Sequence, residues 1–267
     1  LTSSFKHLTI QDRNQWEYIY PKIQYNIDNI KIESVDGRFS LNNDFFYQKN
    51  LDESYASLAS SQLNWSGKNI DNNSGLLFEN EANLRVVSIS NDYKNQTDTE
   101  NIRFFPQISS KISFPMFRAL NNSNETITPI IMPIIAPYNN YTDHKSITNS
   151  NLFSTNRASS ITESESGPRI NYGIEWFKAN KNNLDIKVTA GQNLKFNKEK
   201  NDTTEELSDF YITSNFIFDN NKYFNNSLIL DKDNHDIKTN NANLLFSHNK
   251  FTLGIDYDYN SGKYFTA

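Results

Sequence analysis

Asp256 and Asp258 lie two residues apart, so any extended segment carries both carboxyl groups on one face, as paired-carboxylate hydrolysis of a glycosidic bond would need. Glu163 and Glu165 repeat the spacing. The plainer reading is a wetted strand face for the first pair and a solvated loop for the second, because charge recurs at such positions all along the chain. Asp231, Asp233, Asn234 and Asp236 have the acidic texture of a calcium loop. The sixth position, however, is Asp236 where that loop needs Gly, and the twelfth is Ala242 where it needs Glu, so a polar hairpin turn is expected. His7, His144, His235 and His248 have no ligand spacing. There is no Gly-x-Ser-x-Gly elbow and no phosphate-binding glycine loop. Cysteine is absent, which removes thiol catalysis, disulfides and Cys-based metal sites together. The expectation is a protein that is not an enzyme, with no catalytic residue, metal or cofactor.

The totals point elsewhere. Of 267 residues, 36% are hydrophobic, below the ~45–50% of ordinary soluble domains, yet 13% are aromatic. Polar chains rich in Tyr and Phe suit thin two-faced strands better than a thick core. The net charge is -5 with no basic block, so no nucleic-acid partner is expected. Asn-x-Ser/Thr triplets at Asn64, Asn95, Asn124 and Asn201 are what a chain this rich in Asn, Ser and Thr makes by chance. The first residue is Leu and the last five break off inside a strand pattern, so a piece of a longer protein is expected.

The elements that would carry any site read as strands. Ile23, Tyr25 and Ile27 alternate with polar residues, and Asp36-Gly37 signals a hairpin, with strands before it and from Arg38 to Gln48. Further alternating stretches are expected over 54–67, 75–90 and 102–117, with Pro106 and Pro115 at strand ends, bulges or edges. Pro129, Pro133 and Pro137 forbid a helix over 126–138 and leave an extended, bulged segment. A long polar loop at about 139–168 then gives way to strict alternation at Ile170, Tyr172, Ile174 and Trp176. Loops of that length inside a folded domain are functional or disordered. The charged run 197–206 separates two more strands, 223–230 and 236–248 pair around the Asp231 turn, and Leu253, Ile255, Tyr257 and Tyr259 share a last face.

This gives roughly a dozen strands, most of 9–12 residues, and no helix. Strands of ~9–11 residues are what a tilted strand needs to cross a bilayer. The expected fold is an all-β, antiparallel transmembrane barrel of the outer-membrane type, with apolar faces to lipid, polar faces to a lumen, and Trp16, Trp65 and Trp176 as candidates for interfacial girdles.

Within the long loop, Asn151-Leu152-Phe153, Asn156-Arg157, Ser159, Glu165, Gly167, Arg169 and Tyr172-Gly173 come in an order that resembles the lipopolysaccharide-assembly outer-membrane family LptD, also called OstA. Tyr20-Pro21-Lys22-Ile23-Gln24-Tyr25, Arg103-Phe104-Phe105-Pro106, Pro115 and the apolar run 130–137 resemble it too. The chain departs from that pattern at Ser160 for Gly, Thr162 for Asp and Glu163 for Arg, and its acidic run is reduced to Thr148-Asn149-Ser150.

The resemblance implies that 1–267 is an internal part of a very large barrel in the outer membrane of a Gram-negative bacterium. Such a barrel inserts lipopolysaccharide into the outer leaflet, among outer-membrane lipids. Its implied partners are a lipoprotein plug like LptE and a periplasmic bridge like LptA. Asn151, Leu152, Phe153, Arg157, Glu165, Gly167 and Arg169 are then candidates to contact the plug or, equally, only to brace the loop. A different outer-membrane barrel, porin or receptor-type transporter, and a soluble secreted β-rich binding protein are the alternatives.

Overall fold

The computed structural model describes residues 2–10, 13–32, 35–50, 54–92, 99–139, 151–158, 160–180, 184–196, 207–218, 222–248 and 251–261. Its strands are β1 (Thr2–Ile10), β2 (Arg13–Ile32), β3 (Val35–Lys49), β4 (Tyr55–Asp71), β5 (Leu76–Asp92), β6 (Thr99–Ser113), β7 (Met116–Ala119), β8 (Ser123–Ile135), β9 (Arg169–Asn180), β10 (Leu184–Lys195), β11 (Phe210–Phe218), β12 (Lys222–Leu230), β13 (Ile237–His248) and β14 (Phe251–Asn260). All belong to one antiparallel sheet in which neighbours in sequence are neighbours in space, with short β7 pairing beside β6 on the edge of β8. Among the described residues β1 and β14 each pair with one strand only, so the sheet is open. An all-antiparallel meander with long strands is the class that the alternation predicts.

Burial is inverted relative to a sheet in water. Across β3 to β6 the register aligns Asn42, Gln62, Arg85 and Phe105 in one row, and Leu41, Leu63, Leu84 and Pro106 in the next row on the opposite face. Arg85 and Phe105 are buried, while Leu63 and Leu84 are exposed. The same holds elsewhere: Gln107, Ser109, Arg169, Asn171 and Asn193 are buried, whereas Ile102, Phe104, Ile108 and Ile135 are 59–67% exposed. A continuous exposed apolar face of this extent is not sustained in water. It matches the lipid-facing band of a barrel, where only the other face must satisfy polar groups.

The structure corrects three expectations. Strands β8 to β14, β7 excepted, have the short lengths foreseen, but β2 to β6 run to 15–20 residues. At ~3.3 Å per residue these stand well above a ~25 Å apolar band, so they carry the wall past the membrane surface. The alternating stretch around Ile23, Tyr25 and Ile27 and the strand expected before Asp36 form one continuous strand as far as Ile32, β2, and β1 precedes it. β2 ends at Ile32, which pairs with Val35 at the start of β3, so Asp36 and Gly37 lie within β3, Gly37 at φ +114. A Cβ there would meet Trp65 Nε1 at 2.6 Å, and that indole donates to the Asp36 carbonyl at 2.9 Å. Gly37 therefore makes room for Trp65 instead of turning the chain. The charged run 197–206 also lies outside the described residues.

Pro106 lies inside β6, opposite Leu84 in an unbroken ladder with β5 and beyond the part of β6 that pairs β8, so it is at neither a strand end nor a bulge; the prolines of β8 mark a broken ladder. β8 pairs β9 without interruption from Ser123 to Ile134, but meets β6 only at Ile108, Ser109, Ile112 and Ser113. Pro129 and Pro133 have no N–H to give, and the broken ladder is on the β6 side. Pro115 falls in the break between β6 and β7.

The connections also sort by side. Those after β2, β4, β9, β11 and β13 span two to four residues, whereas those on the other side, after β3, β5, β8, β10 and β12, span five or more, the two-residue connection after β1 being the exception there; the connection after β8 is by far the longest. Barrels of the outer-membrane type keep short turns on the periplasmic side and long loops outside.

Candidate functional site

The chain leaves β8 and returns to β9 through a closed neck. Gly167 N donates to the Pro137 carbonyl at 3.1 Å, Asn139 N to Ser166 Oγ at 2.9 Å, and Phe196 N, just beyond β10, to the Pro168 carbonyl at 3.1 Å. Gly167 sits at φ +80 against the Tyr138 ring, where a Cβ would come within 2.7 Å of Cε1. Both the backbone angle and the contact require glycine here.

Inside the neck the described part of the loop lies on the polar face of the sheet and is anchored by two side chains. Leu152 is 2% exposed and packs over Gly191, which stands opposite Gly173 across β9 and β10. Two glycines in register leave a hollow in the wall that the leucine fills. Ile161 packs on a small cluster of Leu58, Val87 and Phe105, flanked by Phe46 and Ile89. Burying each anchor contributes ~1.5–3 kcal/mol. β8 is apolar on both faces: Ile130, Met132 and Ile134 are buried, while Ile131 and Ile135 are exposed on the other face.

Polar groups of the wall grip the loop backbone. Arg85 Nη2 donates to the Glu163 carbonyl, and Arg103 Nη1 to the Thr162 carbonyl at 2.8 Å. Gln107 Nε2 reaches Ser164 Oγ at 2.9 Å and the Glu165 carbonyl at 3.3 Å. The hydroxyls of Ser109 and Thr155 are 2.7 Å apart, and Thr155 donates to the Glu81 carboxylate. A loop that brings its own carbonyls into a covered site needs such donors, since an unmade buried hydrogen bond costs more than a made one returns.

At the centre Glu165 is held between two arginines. Arg157 Nε donates to Oε2 at 2.8 Å and its Nη2 to Oε1, a two-pronged pair, while Arg169 Nη2 lies 3.2 Å from Oε2 and donates to the Thr155 carbonyl. Arg169 is 1% exposed. Burial alone would raise the Glu165 carboxyl; the hydrogen bond from Arg157 and the charges of Arg169, Arg157 and Lys195 outweigh it and hold the group below its ordinary value. The carboxylate is therefore charged at neutral pH, and Arg157 and Arg169 draw the stretch between them together onto it. Such pairs add little net stability against an apolar substitute, but removing one member strands a buried charge.

The structure thus brings Leu152, Arg157, Glu165, Gly167 and Arg169 together as a brace. Asn151 closes the turn before Ser154, whose N–H bonds its carbonyl at 3.1 Å, and Phe153 borders two open clefts on the same face. Sequence reading missed Arg85, Arg103, Gln107, Ser109 and Ile161. Val87 and Phe105 on an otherwise polar face, with Arg85 and Arg103 beside them, are the signal that something covers this wall. Asp256 and Asp258 face Asn243 and Asn241 across β13, and Asn243 Nδ2 donates to Asp256 at 2.5 Å. These carboxylates are spent on cross-strand amides. The Asp231 turn is a hairpin turn: its Oδ1 accepts from the N–H groups of Asp233 and Asn234 at 2.8 and 3.1 Å, and Oδ2 lies 2.8 Å from Lys238 Nζ. Lys238 and those backbone N–H groups push its carboxyl down to about 2.

What this arrangement does chemically is hold a folded segment against the inner wall of a sheet whose outer wall is apolar. No curated protein matches the chain. The model of the family described as LPS transport system D matches residues 4–266, from the first strand to beyond the last. A match over nearly the whole length shows the family, so this chain belongs to the LptD family of lipopolysaccharide transport.

Proposed function

We propose that residues 1–267 form an internal part of the wall of an outer-membrane barrel that inserts lipopolysaccharide into the outer leaflet of a Gram-negative bacterium, with the described loop segments 151–158 and 160–168 folded into its lumen. The observation that carries this is the inverted burial of a sheet that belongs to the LptD family. An apolar outer wall supports residence in lipid, and an inner wall of amides, hydroxyls and paired charges lets the sugar part of an amphiphile pass without losing its hydrogen bonds. The protein acts by transport and makes or breaks no bond. A lipoprotein plug like LptE and a periplasmic bridge like LptA are its proposed partners. The described loop covers β4 to β6 and β8 to β10, which leaves the Asn225, Asn241 and Asn243 side of the lumen for a plug. The brace residues Arg157, Glu165 and Arg169 support that plug indirectly, by fixing the loop beside it.

Depletion of the intact protein, followed by labelling of surface lipopolysaccharide with a membrane-impermeant reagent, tests the reading. Surface label falls while lipopolysaccharide accumulates inside, and expression of the intact gene restores it. Normal surface label on depletion, with ion conductance by the purified protein, would establish the porin alternative instead.

A further inference from the structure

Phe153 borders two clefts on the inner wall. One, of about 450 Å³, mixes Arg38, Lys68 and Lys111 with Glu79 and Glu81. The other, of about 410 Å³, is lined by Gln62, Asn64, Asn83, Gln107 and Phe153, with Glu81 its one ionisable group. We propose that this second, amide-lined cleft binds a neutral sugar ring. The inference rests on the transport reading and adds a site and a selectivity to it.

The cleft is already organised for such a ligand. Asn64 Oδ1 accepts from Gln62 Nε2 at 2.8 Å and from Asn83 Nδ2, while Asn64 Nδ2 donates to Ser40 Oγ at 3.2 Å. That chain of bonds fixes the amide planes. It leaves the carbonyl oxygens of Gln62 and Asn83 without a donor among the described residues. A sugar hydroxyl both donates and accepts, so it matches a row of fixed amides, whose donor and acceptor sit side by side. The apolar C–H face of the ring needs a partner as well, and Phe153 supplies one. Leu152 is seated over Gly191 and the Asn151 turn closes just beyond, so the phenyl ring is carried by a fixed piece of backbone.

Charge decides between neutral and anionic ligands. Among the described residues no cation lines this cleft, and Glu81 repels a phosphate or carboxylate at close range. The neighbouring cleft holds the cations, but Lys68 and Lys111 there are spent on Glu79 at 3.2 and 3.1 Å. The volume lies in the ~300–1,000 Å³ range of small-ligand sites.

Saturation-transfer NMR on the intact protein in detergent micelles tests this, with maltose and glucose 6-phosphate as probes and with Asn83→Leu and Phe153→Ala as variants. Maltose receives saturation from the native protein, glucose 6-phosphate does not displace it, and each variant weakens the maltose response roughly five- to tenfold. Gel mobility before and after heating confirms that each variant is folded, and Phe153→Ala, which removes a part-exposed ring, serves alone if Asn83→Leu is not. No maltose response from folded native protein, an undiminished response in the folded variants, or equal competition by glucose 6-phosphate would overturn the site. Surface labelling in cells is read separately, so a protein that exports lipopolysaccharide but ignores maltose refutes the cleft and leaves the transport reading standing.

Discussion

Gly173 and Gly191 stand opposite each other across β9 and β10, so close that a Cβ on Gly173 would lie 2.9 Å from the Gly191 Cα. The hollow they leave on the inner face is occupied by Leu152, and the bond from Gly167 N to the Pro137 carbonyl closes the loop that carries it. A methyl group at Gly191 would come within 2.8 Å of Leu152 Cδ2 and 2.4 Å of the Tyr172 carbonyl. Gly191→Ala is therefore expected to cost ~1–3 kcal/mol through overpacking, and Leu152→Ala ~2–5 kcal/mol through the cavity it leaves. Urea unfolding in micelles reads both, and the double variant should cost less than the sum because the two changes share one space.

Glu165 is the member of the brace that two arginines depend on. Glu165→Gln keeps the shape but leaves Arg157 and Arg169 charged and unmatched, an imbalance worth ~3–5 kcal/mol for a buried pair. The expected outcome is a barrel that still forms while the loop loosens, seen as faster amide exchange and new proteolytic cuts within 151–168. Unchanged exchange there would show that the arginines do not need the carboxylate.

The same group sets a pH dependence. Its folded-state value lies below the ordinary 4.5, so its contribution is fully present above that value and is lost as pH falls through the lower folded one. Loop protection should be flat from pH 8 to about 5 and fall only in more acid solution. In Glu165→Gln this acid step should be missing.

The two faces of the sheet should tolerate charge differently. Leu244 lies in the row Phe216, Phe224, Leu244 and Ile255, and Asn225 in the adjacent row Asn215, Asn225, Asn243 and Asp256. Leu244→Arg is expected to cost up to ~2–4 kcal/mol of barrel stability, while Asn225→Arg at the same height costs little. Heat-modified gel mobility of the assembled protein compares them.

Much of this was legible in the sequence, and what was not has a physical reason. Alternation exposed both faces of β9, β10 and β14, and the Asp231 turn declared itself, because local hydrogen bonding fixes both. The long strands β2 to β6 were harder to read: past the apolar band their outward side chains turn polar, as at Asn80 and Asn69, and the period fades into a loop-like texture. The loop could be recognised as long but not placed. A polar segment without a period says nothing of what lies beneath it, and its seat is written in other strands, at Val87, Phe105, Gly173 and Gly191. Arg157, Glu165 and Arg169 were picked out by resemblance, with bracing one another as one of two expected roles, and the fold shows that contact.

The central claim is that residues 151–158 and 160–168 are seated on the inner wall of the sheet. Ser109 and Thr155 test it most directly, because their hydroxyls are 2.7 Å apart and these 267 residues contribute no cysteine of their own. In the intact protein, assembled in the outer membrane, Ser109→Cys with Thr155→Cys should form a disulfide that shifts gel mobility and reverses with reductant, while either single variant does not. Two thiols that both remain open to labelling in the assembled double variant would contradict the seated loop.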